Sequence, residues 1–213
     1  VPLYTDGGNT TGALGFDAGF GLGVGVISDQ SIGWDKGTRN SSETVNVLAF
    51  GVRKGLPWAT ELGVYMSNLD GSPIWAFGAE LEASPVAGLT HIPDISVATG
   101  AGSTTGTGDM NLLMISNRVT ISKDFAGSPA FAIIPFAGFQ SIFVRGFISV
   151  LSTNGVDKNG ITTWGEQLPP PTLGWVNRSF GGVRSLVGPF SMTLVGGISS
   201  VTERISFEVG LHY

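Results

Sequence analysis

Arginines and carboxylates recur at alternate positions along this chain. The arginines are Arg53, Arg118, Arg178, Arg184 and Arg204, and the carboxylates are Asp17, Glu61, Glu80, Glu82 and Glu208. Each lies in a stretch where apolar residues alternate with small or polar ones, and each keeps the polar parity. A guanidinium presents a rigid fork of donors that matches a carboxylate, so Arg suits enclosed ion pairs better than Lys. The four lysines, Lys36, Lys54, Lys123 and Lys158, fall instead in loops or at strand ends. Equal numbers of both signs on one face imply a paired network that fills an interior. With gaps between the pairs, the same side chains would line an ion-selective path.

Other chemistries find little support. There is no cysteine, which removes disulfides, thiolate nucleophiles and thiolate metal sites. Asp157-Lys158-Asn159-Gly160 resembles a fragment of a calcium loop but lacks the further carboxylates and the distal Glu, and it reads as a turn. The Gly-x-Gly runs within 19–25 lie inside a strand pattern rather than at a strand-to-helix turn, so they are no nucleotide fingerprint. Asn9-Thr10-Thr11 and Asn177-Arg178-Ser179 match the glycosylation pattern, which carries meaning only if the source glycosylates such sites. A net charge of −5 without a Lys/Arg cluster argues against a nucleic-acid partner. No cofactor and no metal is expected.

The elements that carry these residues are strands. Leu14, Phe16, Ala18, Phe20, Leu22, Val24 and Val26 alternate with Gly15, Asp17, Gly19, Gly21, Gly23 and Gly25. That strand exceeds the usual soluble length, with one apolar face and one nearly bare of side chains. An apolar face suits lipid, and a glycine face leaves room in a narrow lumen. Composition agrees: 42% of the residues are hydrophobic and only 13% charged, about half the usual charged share. No run of about 18 apolar residues exists, so no transmembrane helix is predicted. Further strands are read at 44–54, 58–66, 74–83, 94–102, 110–122, 130–150, 173–187 and 190–198. Two resist the pattern: Asn117 sits on the apolar face of 110–122, and 130–150 is apolar on both faces with Pro135 inside it. A β-bulge that switches facing would accommodate Pro135, and it leaves Arg145 unplaced.

The last strand alternates Ile205, Phe207, Val209, Leu211 and Tyr213 with Arg204, Ser206, Glu208, Gly210 and His212. An amphipathic final strand with an aromatic end resembles the assembly signal of bacterial outer-membrane β-barrels, here Phe207, Val209, Leu211 and Tyr213. A terminal Phe is commoner in that class. The resemblance implies lipid as surroundings, the barrel-assembly machinery as a partner in biogenesis, and the outer membrane of a diderm bacterium as location. The opening Val1-Pro2-Leu3-Tyr4 is no signal peptide, so an exported protein would be in its mature form here.

The expected fold is all-β: a single domain over 1–213, an antiparallel up-and-down transmembrane barrel of about ten strands, with eight or twelve as alternatives. With both termini in the periplasm, the outer loops fall at about 28–42, 67–73, 102–109, 151–172 and 199–203. The inner turns then fall at about 54–57, 84–93, 123–129 and 187–190. Trp58 marks the inner interface and Trp75 and Trp175 the outer one, joined by Tyr213 as interface aromatics. Trp34 and Trp164 fall in the long outer loops, and Pro169-Pro170-Pro171 stiffens the second of these. Enzymes of the resembled class use His with Asp or Ser at the outer rim. Here His91 falls in an inner turn and His212 at the periplasmic end of the last strand, so no enzyme is expected. The functional expectation is a narrow channel or a structural, anchoring barrel with a charge-paired interior. One alternative is an adhesion protein or envelope-assembly subunit acting through loops 28–42 and 151–172. Another is a soluble β-sandwich.

Overall fold

A computed structural model describes residues 11–27, 44–89, 91–106, 110–128, 131–148, 172–199 and 202–213. The regular elements are β1 (Phe16–Ile27), β2 (Thr44–Leu56), β3 (Thr60–Leu69), β4 (Trp75–Val86), β5 (Asp94–Thr105) and β6 (Met110–Ser122). They continue with β7 (Phe125–Ser128), β8 (Phe131–Ile148), β9 (Thr172–Val187), β10 (Phe190–Ser199) and β11 (Thr202–His212). Every pairing is antiparallel between sequence neighbours, apart from two contacts. The first strand pairs with the last, and β6 pairs with β8. The sheet therefore closes on itself.

The short β7 is not an extra wall. Ser122 of β6 faces Phe136 of β8, the Lys123 amide donates to the Pro135 carbonyl at 3.1 Å, and Phe125 of β7 then faces Ile133. β7 thus continues β6 along the same edge of β8 after a break at Lys123 and Asp124. The result is a ten-strand up-and-down barrel, the central one of the expected counts. Closure of one sheet excludes the β-sandwich alternative, which needs two packed sheets.

The strands are staggered. Phe20 faces Phe50, which leads by direct partners to Met66, Phe77, Ser103, Leu113, Arg145 and Leu173. That walk climbs from the first half of β1 to the far end of β9, as tilted barrel strands require. At the end carrying Phe16 and Tyr213, called the lower end below, those two residues exchange backbone hydrogen bonds of 2.8 Å.

Burial is inverted relative to a soluble domain. Leu22, Val64 and Leu194 are 50%, 52% and 55% exposed, while Asp17, Glu61 and Arg118 are 0%, 2% and 2% exposed. An apolar outside around a polar, charged inside is the sorting of a barrel that meets hydrocarbon on its outer face. Asn117 stays on the outward face and interrupts it.

Three expectations need correction. Pro135 causes no bulge: the β8 register against β9 runs through it without a shift, and on the other side Ser122 opposite Phe136 and Phe125 opposite Ile133 keep one register across it. In an antiparallel ladder the N–H and C=O of one residue point to the same neighbour. The missing Pro135 donor therefore faces the Lys123–Asp124 break, where β6 hands over to β7. Facing is constant as a result, with Ile134, Phe136, Gln140 and Ile142 inward and Arg145 outward near the upper end. Among the described residues the register shifts lie instead between Ala83 and Val86 of β4, around Pro85, and between Ala126 and Ser128 of β7. Finally, Trp58 is in no strand. It sits with Pro57 and Ala59 in the β2–β3 turn, 93% exposed, with positive φ values of 63° at Trp58 and 52° at Ala59.

Candidate functional site

The inward positions bring the charged residues into two groups. The first spans β2, β3, β4 and β6. Glu61 and Glu82 are direct cross-strand partners, a like-charge pairing that is unfavourable by itself. Arg53 resolves it: its Nη1 lies 3.2 Å from Glu61 Oε1 and 3.9 Å from Glu82 Oε2. Arg118 Nη2 in turn donates to Glu82 Oε2 and to Glu80 Oε1, both at 2.6 Å. Glu82 therefore bridges two guanidiniums, and the signs alternate from Glu61 through Arg53, Glu82 and Arg118 to Glu80. Below this chain, the Thr11 amide and hydroxyl donate to Glu61 Oε2 at 3.0 and 3.1 Å.

Glycine gives the long side chains their space. Gly63 faces Arg53 and lies beside Glu80, and a Cβ there would touch Arg53 Cγ at 3.4 Å. Gly78 faces Tyr65, and a Cβ there would stand 2.3 Å from the phenol ring. Tyr65 thus lies flat across the neighbouring strand.

The second group is at the lower end. Arg184 of β9 pairs with Asp17 of β1, reaching past β10 and β11, and the Asp17 carboxylate is fully buried. His212 Nδ1 lies 3.4 Å from the same carboxylate oxygen. Lys54, at the rim, donates to the Gly15 carbonyl at 3.2 Å.

Arg178, Arg204 and Glu208 face inward as well, higher and on the opposite wall. Glu208 is buried, Arg204 is half-buried, and the Arg178 guanidinium lies 5.5 Å from the centre of the Phe180 ring. This wall is partly apolar, with Phe136, Phe180 and Val195 forming a small cluster. Beyond the charged residues expected from parity, Gln140, Asp94, Ser96, Thr120, Ser191 and Thr193 are also buried. Parity alone would have placed Ser96 and Thr120, whereas Gln140 sits in the strand that is apolar on both faces. Asp94 accepts a 2.7 Å hydrogen bond from the Gly88 amide and so pins the β4–β5 turn.

The aromatics mark two rims. Trp75 stacks on Phe77 and Trp175 tilts against Phe143, with ring centres 6.4 and 5.1 Å apart, near the upper ends of their strands. Trp58, Phe190 and Tyr213 are exposed at the lower end, where Phe207, Val209 and Leu211 point outward above Tyr213. His91 is exposed in the lower turn between β4 and β5. Among the described residues no cluster of His, Asp and Glu could hold a metal ion. The expected loop at 28–42 and all of the expected loop at 151–172 except Thr172, which opens β9, lie outside the described residues, and with them Trp34 and Trp164.

No protein-family model matches the sequence, and no curated protein does. Comparison with solved structures finds outer-membrane β-barrels. LpxR from Salmonella typhimurium is 8% identical over 92% of this chain and 99% of its own, with a TM-score of 0.44. The translocator domain of the autotransporter NalP from Neisseria meningitidis is 10% identical over 94% and 88%, with a TM-score of 0.39. The attachment invasion locus protein Ail of Yersinia pestis is 7% identical over 94% and 99%, with a TM-score of 0.33. Likeness at this level transfers no residue and no activity, and the architecture rests on this chain's own strand pairing and facing.

Proposed function

We propose that the chain is a non-enzymatic integral barrel of the outer membrane of a diderm bacterium, closed along its axis, that serves as a structural or anchoring barrel. One observation carries the reading: charged side chains from β1, β2, β3, β4, β6 and β9 meet inside the lumen while almost no water reaches them. Asp17, Glu61, Glu80, Glu82, Arg53, Arg118 and Arg184 are all 5% exposed or less. Ion pairs that skip over intervening strands, such as Arg184 with Asp17, tie the walls together and fill the space a pore would need. The absence of catalysis is part of the proposal: His212 is engaged with Asp17 at the lower end, and His91 is exposed in a turn with no catalytic partner among the described residues. Reconstitution into planar bilayers tests the closed lumen. No stepwise conductance is expected from the wild type, and ion-conducting steps would instead support the narrow-channel reading.

A binding role would use loops 28–42 and 151–172, whose sequences set Trp34 and Trp164 among mostly small and polar residues. Deleting both loops while the barrel is kept should then abolish partner capture. Unchanged capture would remove the binding role without touching the barrel.

A further inference from the structure

Arg178 differs from the other inward arginines. It is 8% exposed, and among the described residues no carboxylate lies within ion-pairing distance of it. Its flat face is covered by Phe180, which compensates part of the charge. The donors of a guanidinium, however, lie in its plane. Among the described residues, Nε and one terminal nitrogen of Arg178 find no hydrogen-bond partner. A buried charge with idle donors is costly, so a partner at that edge would be strongly favoured.

The surroundings specify the partner. Arg178 lines a small cavity together with Phe180, Val195, Gly197, Arg204 and Ser206. About 10 Å³ of it is open to the centre of a water-sized sphere, room for one small particle. Arg204 lines the same space and adds a second positive charge beside Arg178. A neutral occupant would satisfy a donor of Arg178 but leave its buried charge without a counter-charge, whereas a single negative charge supplies both. Directly across the β8–β9 ladder stands Gln140, fully buried, with neither amide atom hydrogen-bonded. The cavity thus lies on a wall rich in idle donors and without a described carboxylate at Arg178.

We propose that this cavity binds one small inorganic anion of chloride size, held by the in-plane donors of Arg178 and the Ser206 hydroxyl, with Arg204 opposite. The proposal rests on the closed-lumen reading, because an arginine in an open aqueous pore would be hydrated and retain no particular ion. The two are separable by experiment: conductance decides whether the lumen is closed, and halide binding decides whether the site exists.

The test uses the whole protein in detergent with sodium bromide, sodium chloride or sodium gluconate at matched ionic strength. Crystals grown in bromide should show an anomalous bromine peak in contact with Arg178. In solution, bromide or chloride at about ten times its dissociation constant should lower the unfolding equilibrium constant about tenfold, in a saturable way. Gluconate, too large for the cavity, should give no such gain. R178Q should lose the halide gain, while R184Q, whose arginine serves Asp17 elsewhere, should keep it. No bromine peak at the cavity in the wild type overturns the proposal, whether or not R178Q folds. Equal stabilisation by gluconate and by halide overturns it as well.

Discussion

Replacing Arg118 by Met should be among the most damaging single changes in this barrel, and the damage should be reversible by removing its partners. Arg118 is 2% exposed and donates two charge-assisted hydrogen bonds of 2.6 Å, to Glu80 and to Glu82. Without it, two buried carboxylates stand side by side on β4 in a low-dielectric lumen, and Glu82 keeps a 3.9 Å approach from Arg53. Breaking a buried ion pair by deleting one partner costs about 3–5 kcal/mol, mostly as the desolvation of the charge left behind. Neutralising the whole set has a different sign. In the triple variant Glu80→Gln, Glu82→Gln, Arg118→Met no orphaned charge remains, and its stability should return to within about 1–2 kcal/mol of wild type. Arg53 retains Glu61 at 3.2 Å in that variant, so the first link of the chain survives. The measurement is guanidinium unfolding in lipid vesicles, followed by tryptophan fluorescence. The reasoning fails if Arg118→Met loses less than about 1 kcal/mol, or if the triple variant is as unstable as the single one.

Three further outcomes are expected. Ala59→Gly should stabilise the barrel by about 1 kcal/mol, because Ala59 holds a φ of 52° that costs a residue with a Cβ and not glycine; an unchanged or lower stability in the same titration would contradict it. Val64→Arg, in the middle of the outward belt, should cost about 2–4 kcal/mol in lipid, while Trp75→Arg near the upper rim should cost about 0–1 kcal/mol, and equal penalties would mean the belt is misplaced. Gly78→Ala should cost about 1–3 kcal/mol because its Cβ would stand 2.3 Å from the Tyr65 ring. That cost should shrink in a Tyr65→Ala background, as a double-mutant cycle would read.

The architecture was legible in the sequence because a barrel writes its facing as parity. Phe20, Leu22 and Val24 against Gly19, Gly21 and Gly23 fix both the strand and its orientation. The inward charges followed from the same rule, residue by residue. Which charge meets which did not, since pairing depends on the stagger between strands, and stagger leaves no mark on any one strand. Arg184 meeting Asp17 across two intervening strands is the clearest instance. Parity also failed where both faces are apolar. Ile134 and Phe136 belong to an apolar patch on the lumen wall, so β8 shows no alternation and Gln140 gave no signal. Proline misled for a related reason. Pro135 predicts a bulge only if its missing donor faces an intact ladder, and here the neighbouring strand is already broken at Lys123 and Asp124.

The ion pairs also do something that apolar alternation cannot. A slip of one residue between β3 and β4 would turn Leu81 inward and Glu80 and Glu82 toward lipid, so the belt itself forbids it. A slip of two residues keeps every face correct, and the belt is blind to it. If β4 slides by two residues along both its neighbours it moves about 7 Å, which would pull Glu82 and Glu80 away from Arg118 and Glu82 away from Arg53. The charges therefore complete the register that the apolar pattern leaves ambiguous. If so, the neutral triple variant should recover stability but not register. Ser67 and Ala76 face each other inside the native barrel, and a two-residue slip would bring Ser67 opposite Gly78 instead. Because the chain has no cysteine, cysteine pairs at these positions report on the pairing without background. Ser67→Cys with Ala76→Cys should cross-link efficiently in the otherwise wild-type protein, and Ser67→Cys with Gly78→Cys should not. In the neutral triple variant the second pair should begin to cross-link during refolding. If it stays silent there, the turns alone hold β3 against β4, and the lumen charges contribute stability without specifying register.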